Sequence, residues 1–390
     1  MPGLTSLPPE LCLLIASHLP ASDLCSLRSS CSALRNICDL EAVWLSRCQQ
    51  DFSLHISPDI PAKNLYQKLL FKYGPLLGAW QRHNLKFYGG LLRVYYEADT
   101  GGIIFENLLP APDIYQDLRR QKFLTLSLTS DQSGVSVENH DLLTFRERAV
   151  VRLEEEEEMV VTVPSLTDYI SSPAEWRELL ETFREWDSST NTETAIMKFV
   201  SVYHNRNIFL YSRVLTPAWC QHHHGAQASG SSILASLAPG VFKGHYGGHG
   251  VELVHLQDGQ AVKITGDPNV PFNQVTVRVT SSQCLHLSEQ QQLSVIQVRE
   301  ATEKAEDCHQ VSNSEAGRSK FLVPEGMVER IPVTWKDCLG RWPAEVQIAS
   351  QMFQDSQFIL ANFILFSPDE FAVMLLDLNT ISLYHRAKEL

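Results

Sequence analysis

Two stretches, GVFKGHYGGHGVELVHL (240–256) and KITGDPNVP (263–271), carry the chain's most chemically capable side chains: His245, His249, Lys263 and Asp267. An aspartate beside a proline, as in TGDPN, can cap its own loop as an Asx turn or offer its carboxylate oxygens to a ligand, and both readings stand. The glycines around the two histidines fit a tight turn. No helix follows them to cradle a phosphate, because the chain enters an alternating β pattern instead. A second cluster joins Cys220 to His222, His223 and His224, between Pro217 and a Gly/Ser-rich stretch. It lacks the second ligand pair of a zinc site, and His245 and His249 have no cysteine or carboxylate beside them in sequence, so neither a metal nor a cofactor is expected. The sequence holds no nucleophile elbow, no H-E-x-x-H pair and no phosphate-binding P-loop, while a Ser/His/Asp triad assembled across strands stays open. The chemistry offered is binding.

The elements that must position these residues are mostly strands. From about residue 85 the apolar period is two, with runs at 90–96, 102–107, 123–128, 135–137, 149–153, 159–163, 197–203, 208–215, 251–256, 261–265, 275–280, 358–366, 371–378 and 381–384. ADTGG joins the first two as a hairpin, and Asp258-Gly259, GDPN (266–269) and SPDE (367–370) mark further turns. Closely spaced strands without a fixed repeat argue a barrel or sandwich and not a propeller. Ser172-Pro173-Ala174-Glu175 has the pattern of a capping box opening a helix whose buried face is Trp176, Leu179, Leu180 and Phe183. Residues 300–320 are polar and aperiodic and read as a mobile loop. The acidic run Glu154 to Glu158 reads as a solvated loop or a negative sheet edge, with attraction of a basic partner as the alternative.

Ahead of the strands stands a helical module. LPPE (7–10) leads into Leu11, Leu14, Ile15, His18 and Leu19, spaced for one helix face. Pro20 ends that helix, and Ser22 or Asp23 can cap a second one carrying Leu24, Leu27, Cys31 and Leu34, followed by a short third helix with Trp44 and Leu45. This register resembles an F-box, which implies attachment to Skp1 and so to a cullin-RING ubiquitin ligase. The plainer alternative is a bundle burying its own faces. Fewer than fifty residues make a poor solitary core, so part of Leu7, Pro8, Leu11, Ile15, Leu24, Leu27 and Trp44 is expected to face the partner. Residues 64–80 then read as a helical bridge, capped by Asn64, buried through Leu65, Leu69, Leu70 and Tyr73, and stopped by Gly74-Pro75.

Composition fits an intracellular adaptor. The 390 residues allow two or three domains, and no run of 18 apolar residues suits a membrane. No signal peptide is read ahead of the helical module. A net charge of −13 argues against a nucleic-acid footprint. Nine cysteines, five within the helical module and none in a C-x-x-C pair, look reduced, so cytoplasm and nucleus are expected.

With FYGGLLRV (87–94) and ISLYHR (381–386), the two opening stretches resemble the F-box only protein 31 family over Leu4 to Arg386. The resemblance implies a β-barrel that reads C-terminal peptide segments, cyclin D1 and carboxamide-ended proteins among them. The chain is shorter than long family members, with residues 300–320 in place of a longer insertion. A Cys/His zinc site that the family can carry corresponds to residues 120–170, where this chain has His140 and no cysteine. The expected fold is α+β: F-box helices over 4–52, a helical linker over 53–84, and over 85–390 a mainly antiparallel, barrel-like substrate domain with one inserted helix. The expected function is non-catalytic substrate recognition within a Skp1, cullin-1 and RING-subunit ligase. A glycan-binding β domain, or a Skp1-binding scaffold outside any ligase, are the alternatives. Electrostatics and the resemblance together place Tyr246, His249, Lys263, Asp267 and Asn269 in a peptide pocket, where the Asp267 charge would disfavour a free terminal carboxylate and accept from an amide.

Overall fold

Pro20 and two extended residues, Cys31 and Leu40, divide the N-terminal module into four helices: α1 (Pro9–His18), α2 (Ala21–Ser30), α3 (Ser32–Cys38) and α4 (Glu41–Phe52). The computed structural model describes residues 7–83, 87–140, 150–154, 158–162, 172–174, 177, 181, 208–215, 239–307 and 318–388. The single second helix expected through Leu34 is two, because Cys31 is extended at φ −159° and ψ 165°. Neither Ser22 nor Asp23 caps α2. Pro20 occupies the N-cap, and Asp23 lies in the first turn, where a negative charge suits the helix dipole. Within α1 the small side chains of Cys12 and Ala16 are buried, while Leu11 and Leu14 point outward.

The bridge begins earlier than Asn64. It runs as α-helix over Ala62–Asn64, widens to a π-helix over Leu65–Leu70, returns to α over Phe71–Tyr73 and tightens to 3-10 over Gly74–Leu76. Leu65, Leu69 and Leu70 are fully buried in a core shared with Leu24, Trp44 and Phe52 of the helical module and Leu92, Phe105 and Val161 of the first sheet. Asp39 accepts from both Arg28 Nε (2.7 Å) and Lys63 Nζ (2.8 Å), and Tyr66 Oη donates to Asp51 (2.5 Å). The helices and the bridge are therefore one packed unit. A β-carbon on Gly74 would run into the Phe52 ring. Gly74→Ala should lower unfolding free energy by about 1–3 kcal/mol, the usual overpacking range, in urea denaturation. An unchanged midpoint would mean that the ring yields.

Strand structure starts at Gly78, inside the range expected to be linker. The first sheet has eight antiparallel strands in the order β5-β4-β3-β2-β1-β8-β7-β6. They are β1 (Gly78–Arg82), β2 (Leu91–Glu97), β3 (Gly102–Leu109), β4 (Arg119–Leu128), β5 (Val135–Asn139), β6 (Val150–Leu153), β7 (Glu158–Thr162) and β8 (Ile208–Leu215). The ADTGG hairpin pairs Glu97 with Gly102, and Gly101 takes φ +67° there.

The second sheet closes on itself. β9 (Gly240–His245), β10 (Val251–Gln257), β11 (Gln260–Lys263), β12 (Val275–Val279), β16 (Gly340–Ser350), β17 (Gln354–Ser367), β18 (Glu370–Leu375) and β19 (Thr380–Arg386) pair in that order, and β19 returns to β9. This is an eight-stranded antiparallel barrel, as expected for the family. Outside it, β13 (Ser319–Lys320) pairs with β15 (Asp337–Cys338), and β14 (Val328–Glu329) runs parallel to β19. Phe242, Val254, Trp342, Phe363, Phe371 and Val373 belong to its core.

Six strands escaped the sequence reading: β1, β9, β16 and the two-residue β13, β14 and β15. β16 contains Pro343, which argues against a central strand. Its ring nitrogen lies on the β12 side, since Thr280 N donates to Pro343 O (3.0 Å), and β12 ends at Val279 paired with Ala344. The missing N–H therefore costs no ladder bond to β17. A second correction concerns 300–320, whose first part continues helix α5 (Val295–Asp307). Two buried side chains hold it to the barrel: Val298 packs into an apolar cluster, and Thr302 Oγ1 accepts from Asn362 Nδ2 (2.8 Å). The run at 197–203, most of the helix expected from Ser172, Glu155 to Glu157, and Cys220 with His222 to His224 lie outside the described residues.

Candidate functional site

The barrel interior turns polar at one end. Val254 and Leu256 on β10 and Ala261 on β11 face inward, so the two-residue period points Glu252 and Lys263 the same way. Tyr384 on β19 arrives opposite, against Gly244, where a β-carbon would strike its ring. Tyr246 then meets Tyr384 edge-on, with a 3.1 Å bond between the hydroxyls. The TGDPN turn packs over this end and against the first sheet. Gly266 N donates to Tyr88 O (2.9 Å), Phe272 N to Phe87 O (2.9 Å), and Gly89 bridges Thr265. The FYGG segment and the TGDPN turn, far apart in sequence, thus meet at the seam between sheet and barrel.

Lys263 Nζ is the centre of the site. It lies 2.6 Å from Glu252 Oε2, 2.8 Å from Asp267 Oδ2 and 4.2 Å from the Tyr246 ring centroid, with its side chain 1% exposed. Asp267 Oδ1 also accepts from Asn269 N (2.6 Å) and Val270 N (3.0 Å), which is the Asx turn. The two readings of Asp267 therefore hold together: it caps its loop and it anchors a buried cation. Burial alone would raise its pKa, yet Lys263 and His249 hold it down at about 2. Burial pushes Glu252 up to about 8 against the pull of Lys263, and Asp267 adds to the rise. Burial lowers Lys263, but the two carboxyl groups outweigh it and leave it raised. The cluster therefore favours the proton on Glu252 and the charges on Asp267 and Lys263.

The signs of these shifts make a pH prediction. Asp267, depressed from 3.8, contributes stability above about pH 4 that is lost as pH falls toward 2. Glu252, raised from 4.5, contributes stability fully present below pH 4.5 and lost as pH rises to about 8. Urea midpoints of the wild type should therefore fall between pH 5 and 8, and Glu252→Gln should flatten that slope. Equal slopes in both proteins would remove Glu252 from the account.

All five residues expected in a pocket are brought together, but in two layers. His249, 40% exposed at its side chain, with Tyr246 and Asn269 half-buried, forms the solvent side. Lys263 and Asp267 sit behind it. The expectation that His249 had no carboxylate near it is corrected by Asp267 Oδ1, 4.0 Å from its Nδ1. Glu252, Thr276 and Tyr384 were missed. Both faces of β10 are buried, so its pattern carried no alternation to show that Glu252 points inward, although a lone acid inside VELVHL was a usable signal. Among the described residues no group of three His, Cys, Asp or Glu could hold a metal, and His140 bonds to Thr125 Oγ1 (2.7 Å).

At the other end of the chain the expected partner face divides. Leu7, Pro8, Leu11 and Leu14 are exposed, Ile15 and Leu27 half-buried. Leu24 and Trp44 are corrections: both are core residues, Leu24 fully buried and Trp44 1% exposed, with the indole donating to Cys38 O (2.8 Å). Tyr66 of the bridge packs against the Trp44 ring at 5.3 Å between centroids, and Leu24 lies in the same core.

Comparison with known proteins agrees with this division. An F-box-like family model matches residues 4–50, and a model described as the cyclin D1 binding domain matches residues 226–389, the span that contains the barrel. With an F-box-like module ahead of a β-barrel, the chain is of the F-box protein class. Across 99% of its length the chain is 27% identical to F-box only protein 31 of Rattus norvegicus, covering 85% of that protein. It is 26% identical to F-box only protein 31-A of Xenopus laevis over the same shares. F-box only protein 31 of Homo sapiens is 30% identical over 71% of this chain and 52% of its own length. The chain is thus similar to F-box only protein 31 across nearly its whole length.

Proposed function

We propose that this chain is the substrate-recognition subunit of a ubiquitin ligase built on Skp1, cullin-1 and a RING subunit, acting in cytoplasm and nucleus. The outward placement of Leu7, Leu11 and Leu14, on a module whose core is already filled, carries the reading. Large apolar side chains held at a surface while small ones are buried suit a partner interface. The barrel end around Tyr246, His249 and Asn269 takes a C-terminal protein segment, cyclin D-like or ending in a carboxamide. The chain holds this segment, and ubiquitin transfer belongs to the other subunits.

The discrimination between amide and acid is smaller than an isolated carboxylate would produce. Alone, Asp267 would oppose a free terminus about 4 Å away by about 4 kcal/mol at an effective dielectric near 20. With Lys263 at 2.8 Å most of that opposition is cancelled. Two measurements test the reading. Affinity capture of the full chain should bring Skp1 and cullin-1, and failure to do so ends the ligase assignment. Fluorescence polarisation with peptides differing only in a terminal amide or acid should show tighter binding of the amide and loss of binding on His249→Ala. If Asp267→Asn leaves the amide-to-acid ratio unchanged, Asp267 serves the turn alone.

A further inference from the structure

One wall at the polar end of the barrel carries groups that the lysine triad does not use. On β19, Ser382 and Thr380 lie opposite Val373 and Leu375 of β18, which belong to the barrel core, so both hydroxyl side chains point inward. β9 runs antiparallel to β19 with Gly244 opposite Tyr384, so the step back from Tyr384 to Ser382 rises beside Tyr246 toward the polar end. Ser382 is 1% exposed, and neither its Oγ nor Thr380 Oγ1 finds a hydrogen-bond partner among the described residues. A buried hydroxyl left unpaired is costly, and a ligand can satisfy it. β14 extends the same wall. It pairs Val328 with Thr380 and Glu329 with Ile381, and Arg330 N donates to Ile381 O (3.1 Å), which carries the register on to Arg330 beside Ser382. Among the described residues the Arg330 guanidinium bonds only His245 O, from Nη1 at 3.5 Å, the outer limit for such a bond. A β-carbon on Gly247 would come within 3.8 Å of its Nε, so Arg330 borders the turn that holds Tyr246 and His249. The neighbouring acid does not neutralise it, because Glu329 Oε2 accepts from Val333 N (2.6 Å).

We propose that Arg330, Ser382 and Thr380 form a subsite for an acidic side chain, aspartate or glutamate, which the bound segment carries a few residues before its terminal group. The proposal rests on the reading of this barrel end as a peptide site. A guanidinium fork and two hydroxyl donors match the two oxygens of a carboxylate. Lys263 cannot serve in their place, since Glu252 and Asp267 already hold it. At a net charge of −13 the chain as a whole repels acidic segments, so accepting one requires a local cation that no protein carboxylate has paired.

The test is fluorescence polarisation on the full chain. Labelled, amidated peptides of alanine and serine carry a single glutamate or a single glutamine at the second, third or fourth residue from the end. At one of these positions glutamate should bind at least tenfold more tightly than glutamine. Arg330→Gln should bring the two within about twofold while leaving the affinity for the glutamine peptide unchanged, and Arg330→Glu should favour lysine at that position. Ser382→Ala should weaken the glutamate peptide severalfold and keep the unfolding midpoint, because its hydroxyl gives up no protein partner among the described residues. Binding of the glutamine peptides with no gain from glutamate at any position overturns the subsite and leaves the peptide site standing. That comparison uses the wild type and decides even if Arg330→Glu fails to fold. No binding of any amidated peptide removes both readings. If Arg330→Gln shifts the preference between amide and free-acid ends, and not that between glutamate and glutamine, Arg330 meets the terminus and the proposal falls.

Discussion

Leu11→Glu combined with Leu14→Glu should abolish co-purification of Skp1 while leaving the unfolding midpoint of the chain unchanged. The two side chains are 46% and 55% exposed, so placing charges there removes little from the fold. Buried anchors at interfaces typically cost about 2 kcal/mol or more each when lost, so the pair should weaken binding by roughly 10³-fold. The control is the opposite pattern at Leu24 and Trp44. Leu24→Ala should cost about 2–5 kcal/mol of stability, the range for emptying a core site, and reduce Skp1 capture only through loss of fold. Trp44→Ala should behave likewise, with the Cys38 carbonyl left without its indole donor. Capture of Skp1 by the double glutamate variant at wild-type levels would show that another surface of the module docks.

Lys263→Met should destabilise the chain by about 3–5 kcal/mol in urea denaturation, the cost of leaving a buried charge without its partner. Asp267 keeps two backbone donors, but its side chain is 6% exposed and loses the only cation within 3 Å among the described residues. A triple variant, Lys263→Met with Glu252→Gln and Asp267→Asn, should recover much of that loss, because a neutral interior carries no desolvated charge. If the single substitution costs less than about 1 kcal/mol, water reaches the triad and the polar end of the barrel is open. Peptide affinity measured on the triple variant then separates two roles for the charges: holding the turn in place, or meeting the ligand.

The strands from Leu91 to Val161 and the C-terminal hairpins were legible because their apolar positions alternate or run continuously between turn residues. The helix Val295–Asp307 was not, since its buried side chains Val298 and Thr302 are few and most of its residues after Val298 are polar. Pro343 hid β16 for a similar reason. Whether a missing N–H matters depends on what lies across from it, and that is a property of the neighbouring strand.

From the order of residues alone came the F-box module, the bridge, the antiparallel strands and the gathering of Tyr246, His249, Lys263, Asp267 and Asn269, because spacing, turn chemistry and family resemblance are all written along the chain. Only the tertiary structure decided which side of each helix faces out. Leu11 and Leu24 look alike in sequence, but Leu24 lies in the shared core and Leu11 in solvent. It also decided the charge state of the site. Glu252 stands eleven residues before Lys263 and Asp267 four after it, and the pairing of β10 with β11 together with the TGDPN turn puts both carboxylates within 3 Å of the lysine nitrogen. A carboxylate read alone is a repulsive charge; placed against that lysine and out of water it is half of a neutral pair, because desolvation and Coulomb attraction depend on distance in space and not on distance along the chain.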